Sequence, residues 1–537
     1  QKWWEGAVAY QIYPKSFLDT NGDGTGDLNG IINRLDYLAG REDSLGVDAV
    51  WISPFYPSPM VDSGYDVSDF KDVDPAMGNM GDFDRLIDEA HSRDLKVIID
   101  LIPNHTSDQH PWFAEARSSR DNPKRDWYVW HNDRDGKEPN NWVSVFGGPA
   151  WQFDEQTGQY YLHSFSKEQP DLNWQNPEVR RQMLGIVDYW LDKGVDGLRV
   201  DAVAWLSKDP RFTDDPPNPN YEQGTDPYNK LIHSYSCGGP ELFNYLNEIA
   251  ALCAKRGDRF MITESYPDTP SSVQEQTWHY VQFYENLDYR YCAPFNFEFI
   301  SSEWDAKTYR QLIDSFQAAL LPGWPQVYAM GNHDKPRLAS RLGKPAARTA
   351  ATLLLSLPGL PFIYYGDEIG MTDVAEVSSS DGDPAAAQVG FDRQSVRTPM
   401  QWSTQVNAGF SQGEPWLPAA KGYKEINAAA EGDDPKSDLS LYKQLLKLRR
   451  GSPALSIGDC QALDLGEDVL AYSRNHEKDK KLVLLNFSET PTILESPRIA
   501  GKLVLSNYLD NQQPAKVSGR IELRANEAVI IDSSIWA

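Results

Sequence analysis

Arg199 and Asp201 stand two residues apart in the short run Gly197-Leu-Arg-Val-Asp201-Ala202. Residues i and i+2 of a β-strand project to one face, so the spacing predicts a guanidinium beside a carboxylate at a strand end. Such a neighbour favours the ionised carboxyl and lowers its pKa. An ionised Asp in a cleft is what a nucleophile requires. Taken alone, the two residues read more readily as a structural ion pair.

Three further segments supply company. Asp100-Leu-Ile-Pro-Asn104-His105 crowds an Asp, an Asn and a His onto one rim, and Pro103 cannot continue a ladder. In Phe260-Met-Ile-Thr-Glu264-Ser-Tyr266, a Glu closes an apolar run. A carboxyl among apolar neighbours has a raised pKa and holds a proton at neutral pH, as a general acid must. Met330-Gly-Asn332-His333-Asp334 brings a third carboxylate to an equivalent position. A nucleophile-like Asp, an acid-like Glu and a supporting Asp form the constellation of a retaining glycosidase, whose two main carboxyls lie about 5–5.5 Å apart.

Something must bring these segments together. β-like runs at 7–12, 49–53, 96–101, 197–201, 259–264, 293–297, 326–330 and 362–365 alternate with helical patterns such as 82–92, 177–193, 239–254, 306–320 and 346–357. That alternation predicts an α/β fold, a parallel (β/α)8 barrel whose active site lies at the carboxyl ends of its strands. The barrel is assigned to 1–103 and 172–454. A Trp-, Asp- and Gly-rich insertion at 104–171 follows the third strand and reads as a small irregular domain. A proline-rich loop spans 207–240. From 455 to 537, alternating strands predict a C-terminal antiparallel β-sandwich.

Composition narrows the partners. The 537 residues carry a net charge of −27, which argues against nucleic acid or an anionic membrane. Seventeen Trp and 26 Tyr can be core, and are also side chains that pack flat on sugar rings. Cys237, Cys253, Cys292 and Cys460 match no metal or disulfide pattern and read as free thiols in a reducing, cytoplasmic compartment. The chain starts at Gln1, so a processed signal peptide is a second possibility. The most apolar stretch, 353–365, is interrupted by Pro358 and Pro361 and predicts a core segment rather than a membrane span. A monomer or a homodimer is expected.

The four strand-end segments resemble those of glycoside hydrolase family 13, the α-amylase family. Trp3-Trp4 with Tyr10-Gln11-Ile12-Tyr13-Pro14, Gln169-Pro-Asp-Leu-Asn-Trp174 and Arg397-Thr-Pro-Met-Gln-Trp402 are similar to its exo-acting, α-glucosidase and oligo-1,6-glucosidase branch. The resemblance implies Asp201 as nucleophile, Glu264 as acid/base and Asp334 as transition-state stabiliser. It implies a pocket for a terminal glucose lined by Asp62, Tyr65, His105, Arg199, His333 and Arg397, with Asp62 and Arg397 on the far 4-hydroxyl. Phe146 and Phe165 resemble its aromatic walls. In that branch, Val after the nucleophile goes with α-1,6 preference and a smaller or hydroxylated residue with α-1,4 bonds; here Ala202 leaves room beside the scissile bond. The expected activity is a retaining exo-α-glucosidase on short, maltose-type α-1,4 substrates, with transglucosylation. The loop at 207–240 is expected to wall the leaving-group side. A sucrose-acting isomerase or glucosyltransferase and an α-1,6-preferring glucosidase are the alternatives, although the charged loop of the isomerases is not evident. A non-enzymatic, transporter-associated relative would lack the three carboxylates.

Asp19-Thr-Asn21-Gly-Asp23-Gly-Thr25-Gly-Asp27 is separate. Oxygen-bearing side chains alternating with glycines suit a tight loop around a hard cation. The match to an EF-hand loop is partial, and a Gly/Asp turn is the alternative. The resemblance implies a structural Ca²⁺, or Mg²⁺, held by the side chains of Asp19, Asn21, Asp23 and Asp27 and the carbonyl of Thr25.

Overall fold

A computed structural model describes residues 2–375, 377, 382–477, 479–510 and 515–533. Eight parallel strands close into a barrel: Ala9–Ile12, Ala49–Ile52, Lys96–Leu101, Gly197–Val200, Phe260–Thr263, Cys292–Asn296, Val327–Ala329 and Leu360–Tyr364. Ala9 pairs with both Ala49 and Phe362, which closes the ring.

The pleat decides what each strand end presents. Ala9, Trp51, Ile98, Phe260, Ile262, Phe295, Ala329 and Phe362 form one apolar cluster inside the barrel. Tyr10, Ile12, Val50, Val97 and Ile99 alternate with them and pack outward. Continuing the inward period by two residues past Ile98 and Ile262 reaches Asp100 and Glu264, and from Gly197 it reaches Arg199 and Asp201. The apolar floor and the charged rim are therefore successive layers of one alternating pattern.

The helices start where capping chemistry permits. Met80–Ser92 begins with a reciprocal capping box between Asn79 and Asp82. Pro177–Asp192 has Asn176 as its cap and Pro at its first position. Ala306–Ala319 and Lys344–Ser356 fall close to their expected places. The helix Val273–Asn286 was not anticipated, because its buried face, Thr277, Tyr280, Val281, Phe283 and Tyr284, is mostly aromatic and carries a single aliphatic.

The insertion leaves and re-enters the barrel at one point, where Leu172 N–H donates to Asn104 O at 2.8 Å. Its antiparallel strands Trp130–His131, Trp151–Asp154 and Gln159–Leu162 enclose Trp142, Ala150, Trp151 and Leu162. The loop at 207–240 leans on it: Trp142 Nε1 donates to Thr213 O (2.9 Å), and Asn141 exchanges two hydrogen bonds with Asp215, each 2.8 Å.

The C-terminal strands form one six-stranded antiparallel sheet. Leu470, Tyr472, Val483, Leu485 and Ile530 join the main core with Ala350, Leu353 and Leu354. The opposite face, with Val469, Ala471, Leu484 and Ile531, is covered by Leu494, Ile499, Val517 and Leu523. The second layer expected of a sandwich is thus supplied by the long hairpin of Thr492–Ser506 and Ala515–Leu523, which belongs to the same sheet. The four cysteines are free. Among the described residues, no helix is long and apolar enough to cross a membrane.

Candidate active site

Arg199 lies at the centre of the charged rim, 1% exposed. Its Nη1 donates to Asp100 Oδ1 at 2.6 Å and to Asp201 Oδ1 at 2.7 Å, and its Nη2 lies 3.1 Å from Glu264 Oε2. A planar guanidinium with several donors can serve three carboxylates in fixed directions; an ammonium cannot. Asp100 is locked from the other side by Trp51 Nε1 (2.7 Å). Burial pushes the Asp100 carboxyl up to about 6 despite Arg199.

A left-handed residue then ties the Asp201 strand end to Glu264. Ala202 has φ +49° and ψ +42°, which aims its N–H at Glu264 Oε2 (2.9 Å). Non-glycine residues adopt this region at a cost and persist in it where the surroundings demand it. Arg199 bridges the two carboxyls, and the N–H of the residue after Asp201 is fixed on Glu264.

The charge state of Asp201 differs from the simple expectation. Burial and the Glu264 carboxylate push it well above the usual carboxylate range, outweighing Arg199. Asp334 goes the other way. Burial opposes its ionisation, but the surrounding positive groups hold it far below the ordinary Asp range. Those groups are the arginines, because burial lowers His333 to about 3 and leaves its ring neutral near pH 7. Arg393 Nη1 and Arg397 Nη2 each reach Asp334 Oδ1 at 3.0 Å.

Asp62 and Arg393 line the same cavity as the three carboxylates. Asp62 Oδ1 accepts from Arg393 Nη2 at 2.9 Å, and Asp62 Oδ2 accepts from Gln169 Nε2 at 3.0 Å. Asp383 braces Arg393 through Nε (3.0 Å) and Nη2 (2.7 Å). Tyr65 stacks flat on His333 with ring centres 5.3 Å apart. His105 packs on Phe165, and Phe165 on Phe146, at 5.3 and 5.5 Å. The cavity holds about 490 Å³, within the range of small-molecule sites. Asp62, Tyr65, His105, Phe146 and Phe165 face it, as do Asp201, Glu264, His333 and Asp334.

The model of the α-amylase catalytic domain matches residues 11–458. The chain belongs to the α-amylase family. It is a glycoside hydrolase. It is 39% identical to an oligo-1,6-glucosidase of Parageobacillus thermoglucosidasius over 98% of both chains. It is 37% identical to an alpha-glucosidase of Pediococcus pentosaceus, over 96% of this chain and 97% of the relative. Among solved structures, the alpha-glucosyl transfer enzyme XgtA superposes with a TM-score of 0.90 at 38% identity, covering 99% of each chain.

In this glycoside hydrolase, two expected lining residues lie under the surface. Arg199 and Arg397 contact the pocket carboxylates from below. Arg397 Nε donates to His333 O (2.9 Å) and Nη1 to Ser63 Oγ (3.2 Å), and the arginine on Asp62 is Arg393. Sequence reasoning passed over Arg393. The available signal was its place four residues before Arg397, within the helical turn Arg393–Val396. Trp205, Asp226 and Tyr266 also face the cavity and were not anticipated individually. Asp226 comes from the loop at 207–240, which therefore does reach the pocket.

The Asp19–Asp27 loop is wound by its own side chains. Asp19 Oδ1 accepts from the N–H groups of Asn21 (3.0 Å) and Gly22 (2.9 Å), Asn21 Oδ1 from Asp23 (3.0 Å), and Asp23 Oδ1 from Thr25 (2.8 Å). Asp27 caps the helix Leu28–Asn33 through Gly30 N–H and also binds Thr20. Carboxylate and amide oxygens are the ligand type a hard cation takes, and here the loop's own N–H groups occupy several of them. Among the described residues, however, no three carboxylate, His or Cys side chains converge as a metal cluster.

Proposed function

We propose that the protein is a retaining exo-α-glucosidase that releases α-glucose from the non-reducing end of short α-1,4-glucosides and passes part of the glucosyl group to other acceptors. The observation that carries this reading is the cluster of Asp62, Arg393 and Gln169, tied to Asp334 through Arg393, which we read as the closed end of the cavity that Asp201 and Glu264 line. A chain end fits such a pocket and a chain interior does not.

The chemistry follows from the positions of the three carboxyls. Asp201 attacks the anomeric carbon as Glu264 protonates the departing oxygen, forming a covalent glucosyl-enzyme. Asp334, kept ionised by two arginines, faces the positive charge that develops on the sugar ring. Glu264 then deprotonates water, which attacks the same carbon and frees Asp201 with overall retention. A sugar or alcohol entering in place of water gives transfer.

Ala202 supports the α-1,4 reading. It borders the cavity with its N–H fixed on Glu264, so its side chain abuts the bond being broken. In Ala202→Val, kcat/KM on maltose should fall about tenfold relative to isomaltose, the usual worth of one or two misplaced methyls. An unchanged ratio removes Ala202 from the account of linkage. The broader test is a panel of maltose, isomaltose, nigerose, kojibiose and sucrose with products resolved over time. Isomaltulose or trehalulose as the main product from sucrose would replace this reading with the isomerase one.

We also propose that the Asp19–Asp27 loop takes a structural Ca²⁺ or Mg²⁺. Chelation should then lower Tm by a few degrees, and restoring the cation should reverse the shift. An identical Tm with and without chelator rejects the site.

A further inference from the structure

Glu264 protonates the departing group, so the wall around it is the leaving-group side of the pocket. Tyr266 lies two residues beyond Glu264 and is stacked on Phe297 at 4.5 Å. Trp205 faces the same cavity. Lys335, next in the chain after Asp334, lines this cavity too, half-buried, with its Nζ 5.7 Å from the centre of the Tyr266 ring.

Lys335 is an unusual group to find there. The cavity's other cation, Arg393, is consumed by Asp62, Asp334 and Asp383. Among the described residues, no carboxylate lies within ion-pair distance of Lys335. Asp226, the further carboxylate facing this space, takes its hydrogen bonds from Gln388 Nε2 (2.7 Å) and Tyr228 N–H (2.9 Å). A half-buried ammonium that, among the described residues, has no carboxylate within ion-pair distance and lies beside the Tyr266 ring suits a small anion with an apolar flank. A single ammonium matches the single charge of a carboxylate. A phosphate dianion is ordinarily met by several donors or by an arginine fork.

We propose that Lys335 anchors a carboxylate on the leaving group, so that the enzyme prefers α-glucosides of sugar acids and other hydroxy acids over neutral α-glucosides of the same size. This rests on the glucosidase reading above. In the transfer direction the same anchor selects hydroxy acids as acceptors, the acceptor hydroxyl giving its proton to Glu264 as it attacks the glucosyl-enzyme.

Maltitol and maltobionate test it. Both are α-1,4-glucosides, and their leaving groups, glucitol and gluconate, differ in charge and little in size. The full-length protein should show a kcat/KM about tenfold higher on maltobionate, the worth of one charge-assisted contact. The preference should shrink as salt is raised. Lys335→Gln should erase the ratio and Lys335→Arg should keep most of it. Equal rates on the two substrates in the parent enzyme, or a ratio that survives in Lys335→Gln, would overturn the proposal. Maltose separates the two levels. Its turnover with no charge preference sinks only the anchor, whereas no turnover of maltose or of any α-glucoside sinks the functional reading and the anchor with it.

Discussion

Asp201→Asn will hydrolyse maltose at least about 10⁴-fold more slowly than the parent, since loss of a covalent nucleophile removes the reaction path itself. Glu264→Gln behaves differently. Its loss on maltose should be of order 10²–10⁴-fold, the worth of a positioned general acid. On α-glucosyl fluoride, whose leaving group needs no proton, formation of the intermediate should be largely spared. Stopped-flow and steady-state rates on both substrates separate the roles. Equal losses on maltose and fluoride in Glu264→Gln would refute its assignment as the acid.

The same pair sets the pH profile. Burial and Glu264 raise Asp201, and only its ionised form attacks. Rates should therefore climb with pH through an apparent pKa above the ordinary Asp range, not near 4. Glu264→Gln deletes the neighbouring charge, so the acid limb measured with the fluoride should move to lower pH. A limb that stays in place would show that Glu264 does not act on Asp201.

Arg393→Lys is expected to be the most damaging change outside the three carboxylates. Arg393 touches Asp62, Asp334 and Asp383 at 2.9, 3.0 and 2.7 Å. An ammonium cannot span three carboxylates that a fork reaches from one plane. Asp383 has a fully buried side chain and Asp62 a nearly buried one, so at least one charge is left without its partner. Such losses cost about 3–5 kcal/mol of stability. The kcat/KM on maltose should drop about 10²–10³-fold, in the range of removing a preorganised electrostatic group. Differential scanning calorimetry and maltose kinetics on one preparation check both. Activity within threefold of the parent would mean that Arg393 does not build the closed end.

Arg393 also marks where local reading stops. The strand-end groups at Asp100, Arg199, Asp201 and Glu264 were legible because a strand's pleat is a two-residue rule, and the inward side of each run follows from its own alternation. The order of barrel, insertion and C-terminal strands was legible for the same reason, since periodicity and breakers act over a few residues. Ala202 was legible as a small side chain, but not as the left-handed turn that ties its N–H to Glu264 across 62 positions.

What tertiary structure alone decided depends on distances between remote segments. Asp62 and Arg393 meet across 331 residues, and no local pattern prefers Arg393 over Arg397 for that contact. Gln169 was a sequence marker until the returning insertion placed its amide on Asp62. The direction of the Asp201 shift required knowing that desolvation and a second carboxylate outweigh Arg199, which is a sum over three dimensions. Chain order thus determined which side chains are available and which way they point. Folding determined which of them share a charge, and so which can attack, donate or bind.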